Sequence, residues 1–123
     1  MNAILFIILT IIFTVSSQLL LKWRVTAIIE EHGLLESKVS IISKTLLDPL
    51  ALLALFFAFV ASLSWILALS KKIELSIAYP LTSMSFVLVF IFSIAVFNES
   101  FSIFKVIGLL IIITGVVFLS FSL

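Results

Sequence analysis

Four stretches of this chain are long enough and apolar enough to cross a bilayer, and together they occupy about two thirds of its 123 residues. They run over residues 3–21, 50–69, 75–97 and 102–121. A helix rises about 1.5 Å per residue, so about 20 apolar residues span the hydrocarbon core. Lipid offers the backbone no hydrogen-bond partners, so each stretch must satisfy its own N–H and C=O groups, and a single stretch does so as a helix. The expected fold class is an all-α integral membrane protein with four transmembrane helices, and residues 1–123 are read as a single four-helix membrane domain. Whatever the protein does must then come from the side chains that these helices carry within the bilayer.

The remaining composition excludes several classes. The chain is 64% hydrophobic and 11% charged, where a soluble domain carries about 25% charge. A net charge of +1 offers no basic surface for nucleic acid. There is no cysteine, hence no disulfide framework, thiolate metal site or thiol nucleophile. The single histidine, His32, lies in a polar segment with no second ligand beside it, and a structural or neutral role is expected. The chain has no paired carboxylates within a span, no Ser/His/Asp set and no phosphate-binding glycine loop. No enzymatic activity, metal or cofactor is expected. Residues 3–21 read as a permanent span rather than a cleaved leader, because no basic region precedes them and no small-x-small cleavage site follows.

Punctuation along the chain sets its organisation. The first span is expected to end at Lys22, Trp23 and Arg24, residue types that suit the lipid–water boundary. Residues 22–48 form a polar loop in which Leu35, Val39, Ile42 and Leu46 recur at helical spacing. That spacing predicts either a short amphipathic helix on the membrane surface or a helical extension of span 1 or span 2. Asp48-Pro49 reads as a helix start, Asp capping free N–H groups and Pro fitting the first helical position. Spans 2 and 3 are joined by a tight turn at Lys71-Lys72, and spans 3 and 4 by Asn98-Glu99-Ser100. With the N-terminal side called side A, Lys71 and Lys72 lie there, against Lys22, Arg24, Lys44 and Lys105 on side B. The bias places side B weakly in the cytoplasm and leaves room for insertion in either direction.

Polar residues within the spans are the candidate functional groups. Span 1 carries Thr10, Thr14, Gln18 and Lys22 at steps of four, one slowly drifting face. Such a stripe is costly against lipid and should face other helices or a watery cavity. Thr10 and Thr14 can bond back to their own helix, whereas the Gln18 amide needs several partners. Span 3 carries Ser76, Tyr79, Pro80, Thr82, Ser83 and Ser85 in its first half. Pro80 removes one helix hydrogen bond, and nearby hydroxyls can supply the freed groups. In span 4, Gly108 and Gly115 stand one heptad apart and read as a helix-packing seam. Four short spans are too few to enclose a solute pathway, so an assembly is implied.

Taken in order, a polar first helix ending in lysine, Ala78-Tyr79-Pro80 opening span 3, a short turn containing Glu99 and a glycine heptad in span 4 resemble the small multidrug resistance family of the drug/metabolite transporter superfamily. The resemblance covers nearly the whole chain except residues 25–48. Members that exchange drugs for protons carry a glutamate eight residues before the span-1 lysine, and here that position is Thr14. A fixed carboxylate attracts both the proton and a drug cation, and threonine does neither. The chain is more similar to the subunits that flip aminoarabinose-linked undecaprenyl phosphate across the bacterial inner membrane. Those share the Gln18…Lys22 pattern, the 77–80 stretch and an acidic turn before span 4, and likewise lack the glutamate. The resemblance implies a polyprenyl-phosphate sugar lipid as substrate and a dimer, of two copies or of two paralogous four-span chains, as the working unit.

Under that reading the lipid tail stays in the bilayer while the headgroup crosses a polar groove. Lys22 or Arg24 would hold the phosphate, Gln18, Tyr79 and Ser83 would contact the sugar, and Thr14 and Trp65 complete the seven substrate-binding candidates. Alternatives are a small multidrug-resistance-type exporter of a small cation or polyamine, for which no anionic intramembrane site is visible, and an accessory membrane subunit. Gln18 lies about 6 Å inside side B, and Trp65 and Tyr79 about 10 Å inside side A. This separation predicts an antiparallel dimer in which Gln18 of one chain meets Trp65 and Tyr79 of the other.

Overall fold

The computed structural model describes residues 2–32 and 37–122. Leu35 and the side chain of His32 lie outside the described residues. Six helices follow one another: α1 (Ala3–His32), α2 (Lys38–Leu47), α3 (Pro49–Leu69), α4 (Leu75–Leu81), α5 (Met84–Phe97) and α6 (Ile103–Ser120). Four of the apolar helical runs are long enough to cross a membrane: Ala3–Glu31, Pro49–Leu69, Leu75–Phe97 and Ile103–Ser120.

The first helix departs from the sequence expectation. It does not stop at Lys22-Trp23-Arg24 but continues to His32, about 15 Å further at about 1.5 Å per residue. Residues 22–48 are thus mostly helical rather than a polar loop. The physical reason is visible in the continuation itself. Ile28 is buried, and Arg24 is held by an ion pair with Asp48, Nε to Oδ2 2.6 Å and Nη2 to Oδ1 3.2 Å. The separate amphipathic helix exists as well. α2 begins at the N-cap Ser37, whose hydroxyl accepts the Ser40 N–H, and Val39, Ile42 and Leu46 are exposed along it, as a face lying on lipid would be.

Asp48 organises the junction on side B. It closes α2, caps α3 by accepting the Ala51 N–H at 3.2 Å, and pairs with Arg24. Pro49 occupies the first turn of α3, where a missing N–H costs nothing.

α1 and α3 form the best-packed pair, running antiparallel. Arg24 meets Asp48 at one end, the Phe13 and Phe57 rings lie 6.1 Å apart at mid-depth, and Lys71 reaches over the Phe6 ring at the other end. The buried stripe of α3 consists entirely of small residues: Ala51, Ala54, Ala61, Ser64 and Ala68. Ala54, Ala61 and Ala68 repeat at heptad spacing. Small side chains let two backbones approach closely in lipid, where dispersion contacts rather than the hydrophobic effect hold helices together.

The third span is two helices. Proline at position 80 has no N–H to give the Ser76 carbonyl, and the chain passes from α4 to α5 through a tightened turn. There Thr82 and Ser83 donate backbone N–H groups to the Tyr79 and Pro80 carbonyls. Their hydroxyls donate to the same two carbonyls. The hydroxyls beside the break thus bond to its turn carbonyls, those of Tyr79 and Pro80.

α5 has no buried residue and α6 has one, Val116. A methyl group placed on Gly108 or Gly115 would meet nothing within 4 Å. The glycine stripe therefore packs no helix within the chain, and the intrachain seam is the alanine stripe of α3.

Candidate functional site: a groove along helices α1 and α5

Beside the α1–α3 pair lies an open groove with a volume of about 410 Å³. Five of the seven residues that the sequence marks as substrate-binding candidates line it: Thr14, Gln18, Trp65, Tyr79 and Ser83. Each comes from a different local cause. The steps of four in α1 align Thr14 and Gln18. Trp65 stands on the last turns of α3, and Tyr79 meets it edge-on, ring centroids 6.1 Å apart and planes at 71°. Ser83 sits in the turn that Pro80 enforces.

A second cavity of about 510 Å³ adjoins the first, sharing Thr14, Gln18, Ser85 and Phe86 with it. It continues along α5 past Val89 and Ser93 to Glu99 and Lys105 on side B. The two together make one groove that runs from Trp65 and Tyr79 near side A to the α5–α6 connection near side B.

This corrects the sequence-based depth argument. Gln18 and the Trp65–Tyr79 pair differ in level, but a second chain is not needed to join them. The groove is long enough to contain both, since Thr10 to Gln18 alone covers about 12 Å of α1.

Lys22 and Arg24 are not in the groove. Lys22 is exposed on α1. Arg24 is committed to Asp48, with side chains 22% and 13% exposed. Arg24 also lies 5.0 Å over the Trp23 ring. The Asp48 carboxyl is held below the usual carboxylate range, chiefly by the hydrogen bonds from Arg24 and further by the Ala51 N–H, with burial opposing. An arginine so paired is a structural clamp between α1 and the α2–α3 junction.

Four groove hydroxyls, those of Thr10, Ser62, Thr82 and Ser83, serve the backbone. Thr10 donates to the Phe6 carbonyl at 2.8 Å and Ser62 to Ala58 at 3.1 Å. Thr14 and Gln18, like Ser17, Tyr79, Ser85 and Ser93, have no side-chain hydrogen-bond partner among the described residues. An amide left open in a groove at membrane depth calls for a polar partner from outside the chain.

Sequence reading named Ser85 among the polar residues of span 3 but missed Ser93, Glu99 and Lys105 as groove residues. Ser85, Val89 and Ser93 do carry a signal, the same steps of four that mark α1. Glu99 and Lys105 carry none, because only the fold of the connection places them at the groove.

Four helices able to span a membrane, with a long open groove that is mostly apolar but set with polar side chains, fit a small multi-pass membrane transporter. No family model and no solved structure matches the chain. Three curated proteins, each named "probable 4-amino-4-deoxy-L-arabinose-phosphoundecaprenol flippase subunit ArnF", do. The protein of Shewanella sediminis is 37% identical over 86 residues, 68% of this chain and 59% of that one. That of an Enterobacter species is 32% identical over 111 residues, 88% and 86% of the two chains. That of Pseudomonas fluorescens is 30% identical over 118 residues, 94% and 85%. The chain belongs to this family of flippase subunits.

Proposed function

We propose that the chain is one subunit of a flippase that carries an undecaprenyl-phosphate-linked amino sugar across the bacterial inner membrane. The headgroup travels in the groove of α1 and α5 while the polyprenyl tail stays in lipid. The observation that carries this reading is the groove itself: it is open on one side, reaches between both boundaries, and holds the unpartnered Thr14 hydroxyl and Gln18 amide. Gln18, Tyr79 and Ser83 contact the sugar, and Trp65 and Tyr79 form an aromatic wall on side A. Thr14 in place of a carboxylate leaves the middle of the groove without the fixed negative charge that proton-coupled cation export uses.

The working unit is a dimer, of two copies or with a paralogous four-span chain, and antiparallel as the family resemblance implies. The near absence of buried residues on α6 and the open space beside Gly108 and Gly115 support a partner at that helix. Transport in proteoliposomes with a panel of undecaprenyl-phosphate sugars tests the function. Amino-sugar lipids should cross, and Gln18→Leu should slow them at least tenfold. A protein that moves none of the panel is not this flippase.

A further inference from the structure

The side-B end of the groove carries two opposite charges. Glu99 and Lys105 line the 510 Å³ cavity together with Gln18, Ser85 and Ser93. Backbone geometry puts Glu99 there. Asn98 closes α5 in the left-handed conformation, φ 53°, and the N–H groups of Asn98 and Glu99 both donate to the Ser93 carbonyl. The connection is thereby folded back over the last turn of α5. Lys105, in the first turn of α6, curls toward the same connection and donates from Nζ to the Ser100 carbonyl at 2.7 Å.

The two charges share the cavity without neutralising each other. Among the described residues the Glu99 carboxylate makes no ion pair. Lys105 has three N–H donors and spends one on Ser100. A carboxylate and an ammonium that line one cavity without pairing complement a ligand that bears both a cation and an anion. Single-charge ligands would meet one partner and one repulsive or unsatisfied group.

We infer that Glu99 and Lys105 recognise a zwitterionic headgroup, Glu99 accepting hydrogen bonds from a protonated amine and Lys105 donating to a phosphate. The inference rests on the flippase reading and deepens it: the amine becomes a selected feature of the substrate rather than an incidental one. It also gives the phosphate the cation that Arg24, clamped to Asp48, does not supply. Hydrogen bonds between ionised partners are about twice as strong as neutral ones, so the pair discriminates by charge as well as by shape.

The test uses proteoliposomes holding the chain with any second subunit that co-purifies with it. Two probes are compared: undecaprenyl phosphate 4-amino-4-deoxy-L-arabinose, and the same lipid N-acetylated, which removes the positive charge and keeps the sugar and phosphate. Wild type should move the amine form about tenfold or more faster, the value of one charge-assisted hydrogen bond. Glu99→Gln should shrink that ratio about tenfold, and Glu99→Asp should restore it. Lys105→Gln should slow both lipids with the ratio kept, and Lys105→Arg should recover both rates. An unchanged ratio in Glu99→Gln, or unchanged rates in Lys105→Gln, overturns the inference. Equal rates for the two lipids in wild type overturn it while leaving the flippase reading standing. Movement of neither lipid overturns both.

Discussion

Ala54→Leu tests how the chain holds itself together in lipid. Ala54 is 0% exposed, as are Ala51 and Ala68 on the same face of α3. At such a seam no space exists for three further carbons. The new side chain must leave its preferred rotamer or push α1 outward, and overpacking of this kind costs about 1–3 kcal/mol. That is about a 5- to 140-fold shift in the folding equilibrium at about 1.4 kcal/mol per tenfold. Ala68 lies fourteen residues further, about 21 Å along the helix, well beyond the roughly 7–10 Å within which substitutions couple. Ala54→Leu/Ala68→Leu should therefore cost the sum, about 2–6 kcal/mol, a large part of a typical total stability of about 5–15 kcal/mol. Leu53→Ala is the control: the neighbouring residue is 41% exposed, and its loss should change stability by about 0.5 kcal/mol or less. The assay is reversible unfolding in mixed micelles titrated with a denaturing detergent, followed by the fluorescence of Trp23 and Trp65. An unchanged midpoint for Ala54→Leu, or a Leu53→Ala cost equal to it, would refute the alanine seam.

Gly115→Leu should leave that same unfolding midpoint in place, since the added carbons meet nothing within the chain. It should shift the solubilised protein toward monomer in sedimentation, and a protein that stays fully associated would remove the glycine stripe from the interface. The Asp48 carboxyl, depressed by Arg24, contributes stability that is present above the unfolded value of about 3.9 and lost as pH falls through the lower folded value. The wild-type midpoint should thus be level from pH 8 to about 5 and drop below about pH 4, with that drop reduced in Asp48→Asn; equal acid limbs in the two proteins would dismiss the clamp. Asn98→Gly should be tolerated, because glycine reaches the left-handed region freely, whereas Asn98→Val should destabilise by about 1–2 kcal/mol in the same titration.

How much was legible beforehand follows from how local each cause is. Four spans could be read directly because the bilayer demands about 20 apolar residues and a self-satisfied backbone, both properties of a single segment. The Asp48-Pro49 helix start and the Pro80 break are equally local, since caps and prolines act within one turn. Thr14, Gln18, Trp65, Tyr79 and Ser83 could be nominated because polar side chains in an apolar span need a reason to be there.

Their meeting in one groove could not be read. It depends on which face of α1 the alanine stripe of α3 occupies, and on how far the turn at Thr82-Ser83 redirects α5. The alanine stripe itself is hidden in a chain this apolar, where alanine reads as one more hydrophobic residue and only its smallness matters. Arg24 shows the same divide most sharply: beside Trp23 it has the look of a boundary anchor, and only the packing of α1 on α3 brings Asp48, 24 residues away, within 2.6 Å of it. Sequence determined the solvent that each segment must live in. Tertiary packing decided which polar groups face one another, because that depends on the relative rotation of helices, which no single segment encodes.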